Sequence, residues 1–248
     1  MASVNTVYTA LKNLANKDQR GFITPAVFNS FAGVAQLNVY NSLFDKLALG
    51  NAARTRQLAG ERETAPLKQI REDLARFAKE STISQTSSTD QTFAKPADLG
   101  RIISAKTFGT FILGQTTSVP IDLIYDEAKI EYVLRSTLSV PTETRPVGLV
   151  SEVLEVYPTT IKKIKLRYYK LPESIKATSP QERAPNQPTF GYIADGNVEV
   201  YNPSTSFDFE LPNQYVPELV IEIAKMVGVN LRDSEVYAYA AQGQQPNQ

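Results

Sequence analysis

Apolar residues recur at helical spacing in two stretches near the start of the chain. Steps of three and four residues place each set on one face of a helix. Thr24 offers an N-cap oxygen, Pro25 suits a first turn, and Gly50 suits the left-handed position after a helix. We therefore predict helices over residues 3–16 and 24–49, joined as a hairpin by the polar turn 17–21. The apolar residues of the two faces are Val4, Val7, Tyr8, Leu11, Leu14 and Ala15, and Phe28, Phe31, Ala32, Ala35, Val39, Tyr40, Leu43 and Leu47.

Helical spacing resumes over residues 66–79 and predicts a third helix, with Pro66 in its first turn and a charged outer face. Ser, Thr, Gln and Asp dominate the stretch that follows, residues 81–98. Such a composition is typical of a loop or linker. We interpret residues 81–100 as the connection between a helical part, residues 1–80, and a strand-rich middle.

Short β-leaning runs separated by glycine and proline mark residues 101–211 as the strand-rich middle. Strands are predicted at residues 101–105, 110–113, 119–124, 149–157, 161–169 and 207–211, with a more helical stretch at 126–138. Pro158 and Thr159 lie in the short connection between two of these strands, which predicts an antiparallel pair. Asp195-Gly196 predicts a two-residue hairpin turn, whereas the Pro-rich residues 172–188 indicate an irregular excursion.

The C-terminal part, residues 212–241, is predicted to hold two helices. The first covers residues 214–227 with Gly228 as its stop, and the second covers residues 233–240; a polar tail, 242–248, follows. The order of helices, strands and helices predicts an α+β fold. It would combine an N-terminal helical hairpin and third helix, a central antiparallel β-rich region and two C-terminal helices in one integrated domain.

Charge and composition narrow the classes of function. Lys and Arg together number 26, as do Asp and Glu, and the chain has no His, Cys or Trp. Disulfides, thiolate or histidine metal sites and histidine-dependent nucleophiles are therefore excluded, whereas carboxylate sites stay open. We predict no catalytic residue, cofactor or metal, and a protein that is not an enzyme. The absence of a long apolar run predicts a soluble protein made in the cytoplasm, with no membrane partner.

One predicted strand carries most of the interesting charge. Its basic residues, which we take as candidate interaction residues, are Lys162, Lys163, Lys165, Arg167 and Lys170. Two-residue spacing places Lys163, Lys165 and Arg167 on one face and Ile164, Leu166 and Tyr168 on the other. Like charges side by side on a sheet repel, so solvent, facing carboxylates or phosphates must offset them. The face is either simply solvated or contacts an acidic neighbouring subunit or DNA.

Three stretches of the chain resemble one family of virion proteins. They are LANKDQRGFITPAVFNSFAGVAQLNVYNSLF at residues 14–44, RSTLSVPTETRPVGLVSEVLEVYPTTIKKIKLRYYKLPE at 135–173 and DFELPNQYVPELVIEIAKMVGVNLRDSEVYAYA at 208–240. The stretches resemble, in the same order, a head-to-tail connector or tail ring protein of short-tailed phages of Bacteroidetes, the crAss-like podoviruses among them.

The resemblance implies a non-enzymatic ring protein of the portal–tail assembly that lines or supports the DNA conduit in the virion. It implies a closed ring of identical copies, a dodecamer, with the portal or neighbouring tail rings as partners and possible non-specific contact with genomic DNA. Two alternatives stay open: a tail-associated glycan hydrolase that uses a pair of carboxylates, and a DNA-packaging accessory protein.

Overall fold

The chain divides into two compact units in a computed structural model. The helical unit comprises Met1–Leu74 and Pro172–Gln248, and the sheet unit comprises Ala75–Leu171. The sheet unit is thus inserted into the helical unit, which differs from the predicted single integrated domain. The structure describes residues 1–17, 23–56, 65–86, 91–112, 115–172, 187–195 and 198–230.

Helices and strands combine in a mixed α+β arrangement, as predicted. The described helices are α1 Val4–Lys17, α2 Pro25–Arg56, α3 Ala65–Ala75, α4 Glu127–Arg135 and α5 Val216–Asn230. The described strands are β1 Ala78–Ser84, β2 Thr92–Phe93, β3 Leu99–Thr107, β4 Thr110–Ile112, β5 Gln115–Thr117, β6 Pro120–Ile124, β7 Val147–Val150, β8 Leu154–Tyr157, β9 Lys163–Lys170, β10 Tyr192–Asp195 and β11 Val198–Tyr201. No helix in the described part of the chain combines the length and the apolar character that crossing a bilayer requires.

The predicted start of α2 is confirmed, but its predicted end is wrong. Thr24 Oγ1 accepts a hydrogen bond from the Val27 backbone N–H at 3.3 Å, and Pro25 is the first helical residue. The helix passes through Gly50 and continues to Arg56. A Cβ at Gly50 would lie 2.2 Å from Leu67 Cδ2. Gly50 therefore serves the close approach of the Leu67 side chain rather than a helix stop.

In the helical unit, α5 packs against both α1 and α2. The two N-terminal helices also meet directly, since the Tyr8 and Phe28 rings contact edge to face with centroids 5.3 Å apart. The first C-terminal helix begins at Val216 and runs past Gly228 to Asn230, so the predicted stop at Gly228 is wrong. Gly228 lies inside the last turn and is buried there.

A mostly extended segment, residues 187–211, lies along the helices of the same unit. Residues 207–211, predicted as a strand, instead form single backbone contacts: Phe207 with Thr189, and Phe209 with Ala2. The predicted hairpin within it exists as β10 and β11. Its register pairs Asp195 with Val198, so Asp195 belongs to the paired strand and not to the turn as predicted.

The sheet unit is built on seven strands in the order β1-β9-β3-β6-β7-β8-β2. All pairings are antiparallel except that of β6 with β7. The edge strands meet, because Gln85 just after β1 bridges to Phe93 of β2 and Thr86 N–H donates to Thr92 O at 2.9 Å. The sheet is therefore closed around one apolar core, to which all seven strands contribute.

Several predictions for the middle of the chain are wrong. Helix α3 ends at Ala75 instead of residue 79, and the interpreted linker 81–100 contains most of β1, all of β2 and the start of β3. The single strand predicted over residues 149–157 is two strands, β7 and β8, which pair with each other. Strand β8 does not pair with β9, because β9 lies between β1 and β3 in the closed sheet.

Helix α4 confirms the predicted helical stretch, and its buried side centres on Ile130. Ile130 is buried against β6 and β7, with Val133 and Leu134 beside it, whereas Tyr132 and Leu138 are 78% and 94% exposed. The predicted turn 17–21, the excursion 172–188, the helix 233–240 and the tail 242–248 lie wholly or mostly outside the described residues.

Candidate interaction surfaces

Strand β9 has the predicted alternation of basic residues on one face and apolar residues on the other. Ile164, Leu166 and Tyr168 point into the closed sheet and are fully buried. Lys163 and Arg167 are exposed on the outside, and Lys165 between them is partly covered. Three of the five candidate residues therefore share one outer face.

The neighbouring strands add charge to this face. The β3 register places Lys106 directly opposite Lys165 and Arg101 opposite Tyr169. Paired residues on adjacent strands share a face, so both cations join the outer side of β9. We call this surface the basic face; its residues are Arg101, Lys106, Lys163, Lys165 and Arg167.

A carboxylate from the other neighbour partly offsets the charge. Glu80 on β1 lies opposite Arg167, and its Oε1 is 3.4 Å from Lys165 Nζ. Lys165 Nζ also lies 5.6 Å from the centroid of the Phe108 ring, a cation–π distance. Lys165 is thus held within the sheet unit, whereas Lys106 and Lys163 are the better exposed cations for an outside partner.

Two candidate residues do not join the basic face. Lys162 precedes β9 and lines a small pocket beside Glu143 and Thr160. Lys170 lies in register with Leu99, on the side of the sheet that carries Tyr168. Both have interactions of their own within the structure.

Sequence reasoning missed the cross-strand members of this surface. Nothing local in residues 101–106 indicates that Lys106 faces Lys165, because β3 and β9 are far apart in sequence. Register shifts between Leu99 and Arg101 and between Ile102 and Ser104 break the simple alternation along β3. Those irregularities turn Ile103, which is 40% exposed, outward next to the charges.

A second surface lies outside β6 and β7, where α4 packs. Asp126 caps α4, with its Oδ1 accepting a hydrogen bond from Ala128 N–H at 3.0 Å. Glu127 and Glu131 follow on the exposed side, and Glu131 pairs with Arg135 Nη2 at 3.2 Å. Tyr125 and Tyr132, 68% and 78% exposed, lie among these carboxylates. We call this surface the acidic face; its charged residues are Asp126, Glu127 and Glu131.

A groove of about 600 Å³ borders the acidic face. Its walls are α4, β6 and the loop that leads to β7, and they include Asp122, Lys129 and Arg145. Leu138 and Val140 of the loop line it while remaining 94% and 53% exposed. Leu138 and Val140 together expose apolar surface next to charged residues. Exposed apolar patches with a polar rim are typical of contact sites.

Among the described carboxylates of the sheet unit, Asp98 has a shifted pKa. Partial burial raises the pKa of Asp98, but hydrogen bonds from Lys79 Nζ and Tyr168 Oη, both at 2.7 Å, outweigh that and lower it overall. A general acid needs the opposite shift. Among the described residues, carboxylates do not gather into a group that could hold a metal ion.

Neither a protein-family model nor a curated protein sequence matches the chain. The basic face and the acidic face both combine charged side chains with exposed apolar ones, which is the chemistry of a binding surface.

Proposed function

We propose that this chain is a structural virion protein that forms a ring in the portal–tail assembly of a short-tailed phage. The observation that carries the proposal is the resemblance of three separate stretches, residues 14–44, 135–173 and 208–240, in the order of one family of connector proteins. A local pattern can arise once by chance, and three in one order are harder to obtain that way, which supports the proposal.

The surfaces of the sheet unit support an assembly role. The unit presents a basic face with Ile103 and Phe108 exposed and an acidic face with Tyr125 and Tyr132 exposed. Closed rings are made by heterologous contacts, in which two different surfaces of the same chain meet. A chain of zero formal charge with both signs on separate surfaces is suited to such contacts.

The glycan hydrolase alternative has less support. It requires a carboxyl group whose pKa is raised so that it can donate a proton near neutral pH. Asp98, hydrogen-bonded by Tyr168 and ion-paired with Lys79, has its pKa shifted in the wrong direction for that role.

Genetics and imaging of the phage test the proposal. Particles made without this chain should package DNA but fail to retain it or to attach a tail, and supplying the chain in trans should restore infectivity. A label on the chain in complete particles should appear at the single tail vertex. Complete infectious virions that lack the polypeptide would refute the proposal.

A further inference from the structure

We infer that the basic face of one copy docks on the acidic face of the next copy, so that the two surfaces of the sheet unit form one heterologous contact. The inference deepens the proposed ring function and rests on it. The partner is a second copy of this chain.

Charge complementarity is the first argument. The basic face carries five cations on β3 and β9. Glu80, on the neighbouring strand β1, offsets part of that positive charge. The acidic face carries Asp126, Glu127 and Glu131, and Asp122 lies at the adjoining groove; Lys129 and Arg135 are the cations on α4. Opposite net charge on two surfaces favours their contact, and the excess of cations disfavours contact of the basic face with itself.

Exposed apolar side chains are the second argument. Phe108 is 46% exposed beside the basic face, and Leu138 is 94% exposed beside the acidic face. Aromatic and aliphatic anchors inside a charged rim are the usual composition of a protein–protein contact. Each face therefore offers both the steering charges and the apolar centre that a specific contact needs.

The positions of the faces on the closed sheet are the third argument. The basic face lies over β9 and β3, whereas α4 covers β6 and β7. On a closed sheet of seven strands these positions point in directions roughly a third of a turn apart. A copy cannot satisfy its own basic face with its own acidic face, so each face is left for another molecule, and a second copy offers the complementary one.

Paired charge reversals test the contact with the full chain. Variant A carries Lys106→Glu and Lys163→Glu, and variant B carries Glu127→Lys and Glu131→Lys. Lys106→Glu places a carboxylate opposite Lys165, which is a favourable cross-strand pair, so variant A should keep its fold. Variant B has two positively charged faces, and in variant A the positive charge of the basic face is cancelled, so each variant should associate at least about tenfold more weakly than the wild type.

An equimolar mixture of the variants provides the decisive measurement. In the mixture the unchanged acidic face of variant A meets the unchanged basic face of variant B, and the carboxylates introduced in variant A meet the lysines introduced in variant B. Sedimentation velocity should therefore show the assemblies of the wild type returning. Glu152→Lys, an exposed reversal in the turn between β7 and β8, is the matched control and should associate as the wild type does. Circular dichroism of each variant verifies the fold.

The outcomes separate this contact from other partners and from the virion role. The inference is overturned if the wild type keeps the mass of one chain at every concentration, if variants A and B associate normally, or if their mixture stays dissociated. Salt-dependent binding of duplex DNA that variant A loses, without any change in self-association, would assign the basic face to DNA instead. Loss of the chain from virions would refute the ring function while leaving this solution contact intact.

Discussion

At the scale of single residues, a few buried polar side chains on α2 hold the extended segment 187–211 in place. Asn29 accepts a hydrogen bond from the Phe190 backbone N–H at 2.7 Å, and its own amide donates to Phe190 O at 3.1 Å. Gln36 is fully buried on the same side of α2, and its Oε1 accepts a hydrogen bond from the Glu210 backbone N–H at 2.7 Å. These amides take the place that a neighbouring strand would occupy, since buried backbone groups need partners.

Asn29→Ala should therefore lower the free energy of unfolding by about 1–3 kcal/mol, because it leaves both backbone groups of Phe190 buried without that partner. Urea denaturation measures the change. Asn38→Ala, at an exposed position on the same helix, controls for helix propensity and should change stability by no more than a few tenths of a kcal/mol. Equal effects of the two substitutions would contradict the role given to Asn29.

Tyr8 makes the stability of the helical unit depend on pH in the alkaline range. Burial first, and then the charge of Glu199, raises the pKa of Tyr8 from 10.0 to about 12, and its hydroxyl donates to Ile23 O at 2.9 Å. The raised pKa stabilises the folded state fully below pH 10, where both states hold the proton. Between pH 10 and about 12 the unfolded chain loses that proton first, so this stabilisation declines as pH rises.

The stability difference between the wild type and Tyr8→Phe should consequently shrink as pH rises through that window. Denaturant unfolding at a series of pH values measures it. Tyr132→Phe, which removes a hydroxyl from a side chain that is 78% exposed, is the control. A difference for Tyr8→Phe that grows with pH would show that the sign is wrong.

At the scale of elements, local signals predicted beginnings better than ends and pairings. Thr24 and Pro25 mark the start of α2 because a cap depends on adjacent residues only. The helix end predicted at Gly50 is wrong because the glycine makes room for Leu67 of another helix, a contact that the local sequence does not indicate. Strand β1 was missed because even its inward positions are mostly polar: Lys79 and Ser81 lie in register with the buried Tyr168 and Leu166, and Ile83 is its large apolar residue on the core.

The same distinction applies to the candidate site. Alternation within β9 correctly placed Lys163, Lys165 and Arg167 on one face, since the period of a strand is local. Lys106 and Glu80 join them through pairings of β9 with β3 and β1, which depend on how the sheet closes. Adjacency in sequence favours a β8–β9 pair. That pair does not form, because the closed sheet pairs these strands with others that are distant in sequence.

Gly50 and Leu67 should be energetically coupled. Gly50→Ala gains about 1 kcal/mol in helix propensity, but in the wild type the new methyl group must displace the Leu67 side chain. In a Leu67→Ala background the space is open, so Gly50→Ala should be stabilising there. Thermal or urea unfolding of the four chains gives the coupling energy, which we expect to be on the order of 1 kcal/mol. Additive effects would show that Gly50 and Leu67 do not constrain each other.

At the scale of the whole molecule, the insertion of one unit into the other follows from how the chain enters and leaves the sheet. Strand β1 begins and β9 ends side by side, with Ala78 opposite Tyr169 and Lys170 N–H donating to Phe77 O at 2.8 Å. The closed sheet therefore receives and returns the chain at one place. Its apolar core draws on all seven strands, and the described residues that form it lie within Ala75–Leu171.

A fragment of residues 75–171 should consequently fold by itself. Its strands pair without residues from the helical unit, and its length exceeds the minimum of about 40 residues at which an unaided core becomes possible. We expect dispersed amide resonances and one cooperative unfolding transition. A fragment of residues 75–160 is the matched control: it lacks β9, so β1 and β3 lose the strand between them, and it should remain unfolded. Non-cooperative melting of the longer fragment would mean that the sheet needs the helical unit, and the two units would then have to be treated as one folding unit.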